Sequence, residues 1–157
     1  MKNASSISQG ELIVKLLAKD DEIVPYKKKL NAITNRYIPA TLLLQRIIDL
    51  WFRNERKKFY KFKGNAPETI TSIKQKENMV EIKHPLYKKG ESWCEELDIT
   101  RKEFDRAIKI IGFKLGKTKN LIKKEDALVI YYTDKDGLTW YSLNEERLAN
   151  LFKGGIL

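Results

Sequence analysis

Residues 92–143 constrain the fold more than any other stretch of the chain. Ser92-Trp93-Cys94-Glu95 and Thr100-Arg101-Lys102-Glu103 both fit the S/T-x-x-E capping box, in which a hydroxyl accepts an orphan helix N–H and the Glu reaches back. Only Leu97, Asp98 and Ile99 stand between the first short helix and the second cap, so the chain must turn sharply, as in a helix-turn-helix. Two apolar runs follow, over 127–133 and 138–143, joined by Asp134-Lys135-Asp136-Gly137; together they predict a β-hairpin. Helix, turn, helix and hairpin in that order predict a mainly α chain with a small β-hairpin (α+β), a winged helix-turn-helix.

The rest of the chain reads as additions to that core. Ser8-Gln9-Gly10-Glu11 is a third capping box, followed by Leu12, Ile13, Leu16 and Leu17 at helical spacing. Residues 19–22 form a polar break, and Pro25 opens a second helical stretch with Tyr26, Leu30 and Ile33 on one side. A longer helix is predicted from about Pro39 to Arg56, burying Leu43, Leu44, Ile47, Ile48 and Trp51. Thr41, Gln45, Arg46, Asp49 and Arg53 fall on its polar side. Phe59-Tyr60-Lys61-Phe62 is a candidate edge strand. Residues 64–90 read as an irregular polar insertion, with a turn of helix near 68–74. Asn144 caps a last helix, in which Leu148, Leu151 and Phe152 fold back on the core. The expected organisation is an N-terminal helical extension over 1–38, available for dimerisation, and a winged-helix domain over 39–157.

With 42% hydrophobic and 33% charged residues, the 157-residue chain is too apolar to stay disordered and long enough to bury one core. No apolar run approaches the roughly 18 residues of a membrane span. The first residues lack the apolar core of a secretory signal, and the single Cys94 has no internal disulfide partner. A cytoplasmic protein is expected, with no membrane partner. The net charge of +10 is concentrated: residues 101–124 carry nine Lys or Arg against Glu103 and Asp105, and residues 53–63 carry six against Glu55. Patches of this kind are the footprint of a polyanion partner.

In the second capped helix Phe104, Ala107, Ile108 and Ile111 face inward, leaving Arg101, Lys102, Asp105, Arg106 and Lys109 outward. An apolar back and a basic front suit a helix that enters the major groove of DNA. Arg101 and Arg106 are the candidates for bidentate contact with guanine, and Lys102 and Lys109 for phosphate contact. Lys114, Lys117 and Lys119 would hold the DNA backbone. The hairpin tip, with Asp134 and Asp136 against Lys135, would repel phosphate. Tyr131, Tyr132, Trp140 and Tyr141 read first as cross-strand pairs and second as base-stacking groups.

Signs of an enzyme fail on inspection. The Gly112-to-Thr118 stretch imitates a phosphate-binding loop but has three residues between its glycines where four are needed, and it follows a helix instead of a strand. Gly112 or Gly116 is better read as the end of the recognition helix. One His and one Cys give no metal cluster, so neither metal nor cofactor is expected.

Val24-Pro25-Tyr26, Leu30, Ile33-Thr34, Ala40, Leu42 to Gln45, Ile47 and Trp51, then Lys58 to Phe62, Ser92 to Leu97, Glu103-Phe104-Asp105 and Val129 to Thr133 form a pattern. It resembles that of small winged-helix proteins of bacteriophages, plasmids and other mobile elements, related to replication initiators and replisome organisers. The resemblance spans residues 24–143 and departs in 64–84, which is longer and more polar. It implies duplex DNA recognition, in replication initiation or transcriptional regulation, and no defined reaction. The expected partners are double-stranded DNA, with a second copy of the chain and replication proteins as further candidates. The competing expectation is a winged-helix adaptor that docks proteins without sequence-specific DNA binding.

Overall fold

A computed structural model of the chain describes residues 8–18, 24, 26–64, 74–75, 78–79 and 84–154. Among these described residues the chain is an α+β fold with five α-helices, two short 3-10 helices, a four-stranded mixed sheet and a separate two-stranded ribbon. The helices are α1 (Gln9–Ala18), α2 (Ile38–Arg53), α3 (Trp93–Leu97), α4 (Arg101–Ile111) and α5 (Glu145–Lys153). The strands are β1 (Phe59–Tyr60), β2 (Lys74–Gln75), β3 (Asn78–Met79), β4 (Gly112–Lys114), β5 (Val129–Thr133) and β6 (Thr139–Leu143). In the main sheet the order is β1-β6-β5-β4; β4 runs parallel to β5, and the other pairs are antiparallel.

Local chemistry explains why α3, only five residues long, forms at all. The N–H groups of Trp93 and Cys94 donate to the carbonyls of Phe62 and Lys63 at 2.8 and 2.9 Å, and that of Glu95 donates to Ser92 Oγ at 3.2 Å. The orphan donors of the first turn are thus satisfied mostly by main chain from another segment. Glu95 extends its carboxylate to the N–H of Gly90 and the hydroxyls of Tyr87 and Ser92. Asp98 closes the helix in the left-handed region (φ 52°), which produces the sharp turn into α4. There the capping box is complete, Thr100 and Glu103 each accepting the other's N–H.

The core lies between α2, α3, α4 and one face of the sheet. Leu43, Leu44 and Ile47 of α2 pack with Phe104, Ala107, Ile108 and Ile111 of α4, and Leu148 and Leu151 of α5 join them. Trp93 sits at the centre, with Tyr141, Phe59 and Phe104 rings at 5.4, 6.3 and 6.4 Å. Cys94 is wholly buried beside it.

Several elements depart from the sequence reading. The stretch after Pro25, itself outside the described residues, forms a 3-10 helix (Lys28–Ile33) instead of an α-helix. It packs onto α2: Leu30 is buried, and the Lys27 N–H donates to Gln45 Oε1 at 2.8 Å. Thr41, expected on the polar side of α2, is buried because its hydroxyl bonds Thr34 Oγ1 and Asn31 Oδ1, both at 2.6 Å. The helical turn sought near 68–74 lies outside the described residues except for Lys74, which is in a strand. In α1 the Ser8 cap forms, while Leu12, Ile13 and Val14 stay exposed; the polar break at 19–22 is outside the described residues. No described helix is long and apolar enough to cross a membrane.

Candidate functional site

A concavity of about 910 Å³ opens between α4 and the inner side of the β5–β6 hairpin, walled by residues 61–64 and 84–89. A row of aromatic residues explains how the sheet builds one of its walls. Register places Phe59, Tyr141 and Tyr131 side by side across β1, β6 and β5, and alternation turns all three towards α4. Tyr141 stacks on Phe59 and on Tyr131 at 5.9 and 5.8 Å. Burial pushes the Tyr141 phenol well above its ordinary value, and burial with the nearby Asp105 charge also raises Tyr131. Tyr131, Tyr141, Phe104 and Ile108 give the concavity its apolar part.

Cations surround it. Lys61, Lys63, Lys89, Arg101, Lys109, Lys114 and Lys117 line the space against Glu95 and Asp105. They are not equivalent. Lys61 is nearly buried, bonded to Glu96 at 2.6 Å and held 5.0 Å from the Trp93 ring centre. Lys63 pairs with Asp105 at 2.6 Å and lies against Phe104. Those two are neutralised internally, whereas Lys89, Lys109, Lys114 and Lys117 have no ion pair among the described residues.

The structure sorts the residues expected from sequence. Arg101 is half-buried at the start of α4, where it lines the concavity and donates to the Gly64 carbonyl at 3.4 Å. Asp105, expected outward, keeps an exposed side chain while it pairs with Lys63 at 2.6 Å. Lys102, Arg106 and Lys109 form the exposed strip of α4. Arg106 lies on the flank away from the concavity, its guanidinium 4.3 Å from the centre of the Tyr37 ring, which fixes its direction. Lys114 and Lys117 reach the concavity, while Lys119 is exposed outside it.

Asn120 holds the lysine loop and has no motif to announce it. Its side chain accepts from the Lys114 N–H at 2.9 Å and donates to the Lys114 and Lys117 carbonyls, both at 3.3 Å. Gly116 supplies the left-handed turn at φ 80°. Gly64, at φ 77°, packs so tightly on Ser92 that a Cβ there would lie 1.8 Å from its hydroxyl oxygen.

At the hairpin tip Asp134 has an internal task. Its carboxylate accepts from the Trp140 indole at 2.8 Å and from the N–H groups of Asp136 and Leu138 at 2.9 and 3.0 Å. Those bonds, the indole's first, hold it below the ordinary carboxylate range. Gly137 at φ 82° completes a three-residue loop with its glycine in the left-handed position. The His84 ring bridges to this tip: Nδ1 accepts from the Leu86 N–H at 3.1 Å and Nε2 contacts the Asp136 carbonyl at 3.0 Å. Beside it the Tyr87 phenol is pushed up to about 12 by its bond to Glu95 and by burial.

Gly112 of the false phosphate loop ends α4 and begins β4. No group of three or more His, Cys, Asp or Glu among the described residues is placed to hold a metal ion. The arrangement offers unpaired cations beside an apolar trough, suited to holding a polyanion. Comparison of the chain with family models, with curated proteins and with solved structures found no match.

Proposed function

We propose that the protein binds double-stranded DNA, with the exposed strip of α4 facing the major groove and the cations of the concavity holding the backbone. The observation that carries this reading is the set of four lysines, Lys89, Lys109, Lys114 and Lys117, left without ion pairs around one concavity beside a capped helix. Lys102 and Arg106 extend the charge along α4. The order α2, β1, α3, α4, β4, β5, β6, interrupted after β1 by the β2–β3 ribbon and with β6 between β1 and β5, supports a winged helix-turn-helix. Asp134, acidic at the hairpin tip, is accounted for by the turn it holds and does not favour an adaptor role over DNA. The sequence resemblance points to replication initiation or transcriptional regulation in a mobile element. The exposed Leu12, Ile13 and Val14 of α1 support a protein contact as well, and a second copy of the chain is our candidate for it.

The test is a salt titration of binding to a 20-base-pair duplex. The five lysines assigned to phosphate, Lys89, Lys102, Lys109, Lys114 and Lys117, predict a slope of log affinity against log salt of about −4.5. Replacing Lys109, Lys114 and Lys117 together by Ala should flatten it by about 3. A salt-independent affinity, or an unchanged slope in the triple variant, overturns the reading.

A further inference from the structure

We propose that the outer face of the sheet, turned away from the concavity, is a separate site for single-stranded nucleic acid. The register that stacks Phe59, Tyr141 and Tyr131 inward places Tyr60, Trp140 and Tyr132 in a second row on the opposite face of the same three strands. The inner row is packed around Trp93; the outer row is not. Tyr60 is 40% exposed, and Trp140 and Tyr132 are half-buried. Tyr60 stands edge-on to Trp140 at 5.3 Å, and the bond from the Trp140 indole to Asp134 fixes that ring in the sheet.

Beside the two larger rings stands a cation. Lys58 Nζ is 5.2 Å from the Tyr132 ring centre and 5.3 Å from that of Trp140, and it donates to the Tyr132 hydroxyl at 2.6 Å. Lys58 is exposed and has no carboxylate partner among the described residues. A row of aromatic faces with a lysine at its centre matches the two parts of a single strand, base planes and phosphates. A duplex does not fit, because its bases are already stacked on each other and offer no free face. Cross-strand pairing alone accounts for aromatic residues in the row, but not for an exposed lysine ending among them with a phenol hydroxyl, and no carboxylate among the described residues, as its partner. This site uses no residue of α4 and goes beyond the duplex reading without depending on it.

Fluorescence anisotropy with a labelled 15-nucleotide oligothymidylate, alongside the 20-base-pair duplex, tests it. Trp140→Ala and Tyr60→Ala should each weaken the oligothymidylate about tenfold and leave the duplex unchanged. Trp140→Phe, which keeps a stacking face, should restore most of the loss. Saturating oligothymidylate should quench the part of the wild-type tryptophan emission that Trp140→Phe lacks. Absence of oligothymidylate binding, absence of that quench, or equal losses for both ligands overturns the proposal. If the duplex fails to bind and the ring-dependent oligothymidylate signal persists, the duplex reading falls and this one stands.

Discussion

Gly112→Ala isolates a purely steric requirement at the joint between helix and sheet. Gly112 adopts φ −120° and ψ 154°, a region open to every residue, so its glycine is not there for backbone freedom. An added Cβ would lie 2.8 Å from the Ile108 carbonyl oxygen and 2.9 Å from Tyr131 Cε1. The first neighbour is main chain in the last turn of α4; the second is a ring stacked on Tyr141 at 5.8 Å. Neither can step aside cheaply, so β4 must shift away from α4. Overpacking of this kind costs about 1–3 kcal/mol, and two fixed neighbours put the expectation near the upper end. Gly116, four residues on, is the opposite case: φ is 80° and nothing lies within 4 Å of its added Cβ. Ala there bears only the left-handed backbone cost, about 1 kcal/mol. Urea unfolding followed by circular dichroism should show a lower midpoint for Gly112→Ala than for Gly116→Ala, with equal slopes. The reasoning is refuted if Gly112→Ala is no less stable than Gly116→Ala.

Burial lifts the Glu96 carboxyl, and the bonds from Lys61 and Arg46 more than reverse this, leaving it below its ordinary 4.5. A pKa lowered on folding contributes stability that is complete above the unfolded value and is lost as pH falls through the folded one. Glu96→Gln should therefore cost about 1 kcal/mol at neutral pH, and melting curves of variant and wild type should converge as pH falls below the ordinary 4.5 and through the lowered folded value. Asp134→Ala removes three acceptor bonds from the hairpin tip and should lower Tm and alter the near-ultraviolet signal of Trp140; an unchanged signal would show that the turn does not depend on them. Arg106→Ala should reduce binding to a preferred duplex site by about 1–3 kcal/mol and to random duplex much less; equal losses in competition assays would remove it from base readout. Deleting residues 1–22 should leave a folded monomer that protects one DNA half-site, and light scattering that finds the intact protein monomeric at high micromolar concentration would exclude α1 as a dimer contact.

Elements fixed by short-range chemistry were legible in the chain. The Thr100 capping box, the Asn144 cap, whose side chain accepts from the Arg147 N–H, and the Asp-Gly hairpin turn all follow from neighbours a few residues apart. What escaped depends on partners distant in sequence. Strand β4 is three residues leaving a helix, too short for a period, and exists because β5 offers it a parallel edge. Thr41 looks polar until Asn31 and Thr34 are brought to it. Arg101 sits on the basic side of α4 by spacing, yet the Gly64 carbonyl lies beside it. A count of lysines likewise could not separate Lys61 and Lys63, paired with Glu96 and Asp105, from Lys109, Lys114 and Lys117, which are not. Charge is a property of composition, but availability is a property of contacts.

The passage of α4 into β4 without a loop has a mechanical consequence. The Ile111 carbonyl accepts from the Leu128 N–H at 2.9 Å, Leu115 donates to the Tyr131 carbonyl at 2.9 Å, and β4 lies in parallel register with β5 between them. Helix and hairpin are therefore tied through β4, and their separation is set by the backbone bonds that join it to β5. If this surface holds a duplex as proposed, a target of the wrong width or curvature would be rejected instead of accommodated, and selectivity would arise from the target's shape even where no side chain reads its sequence.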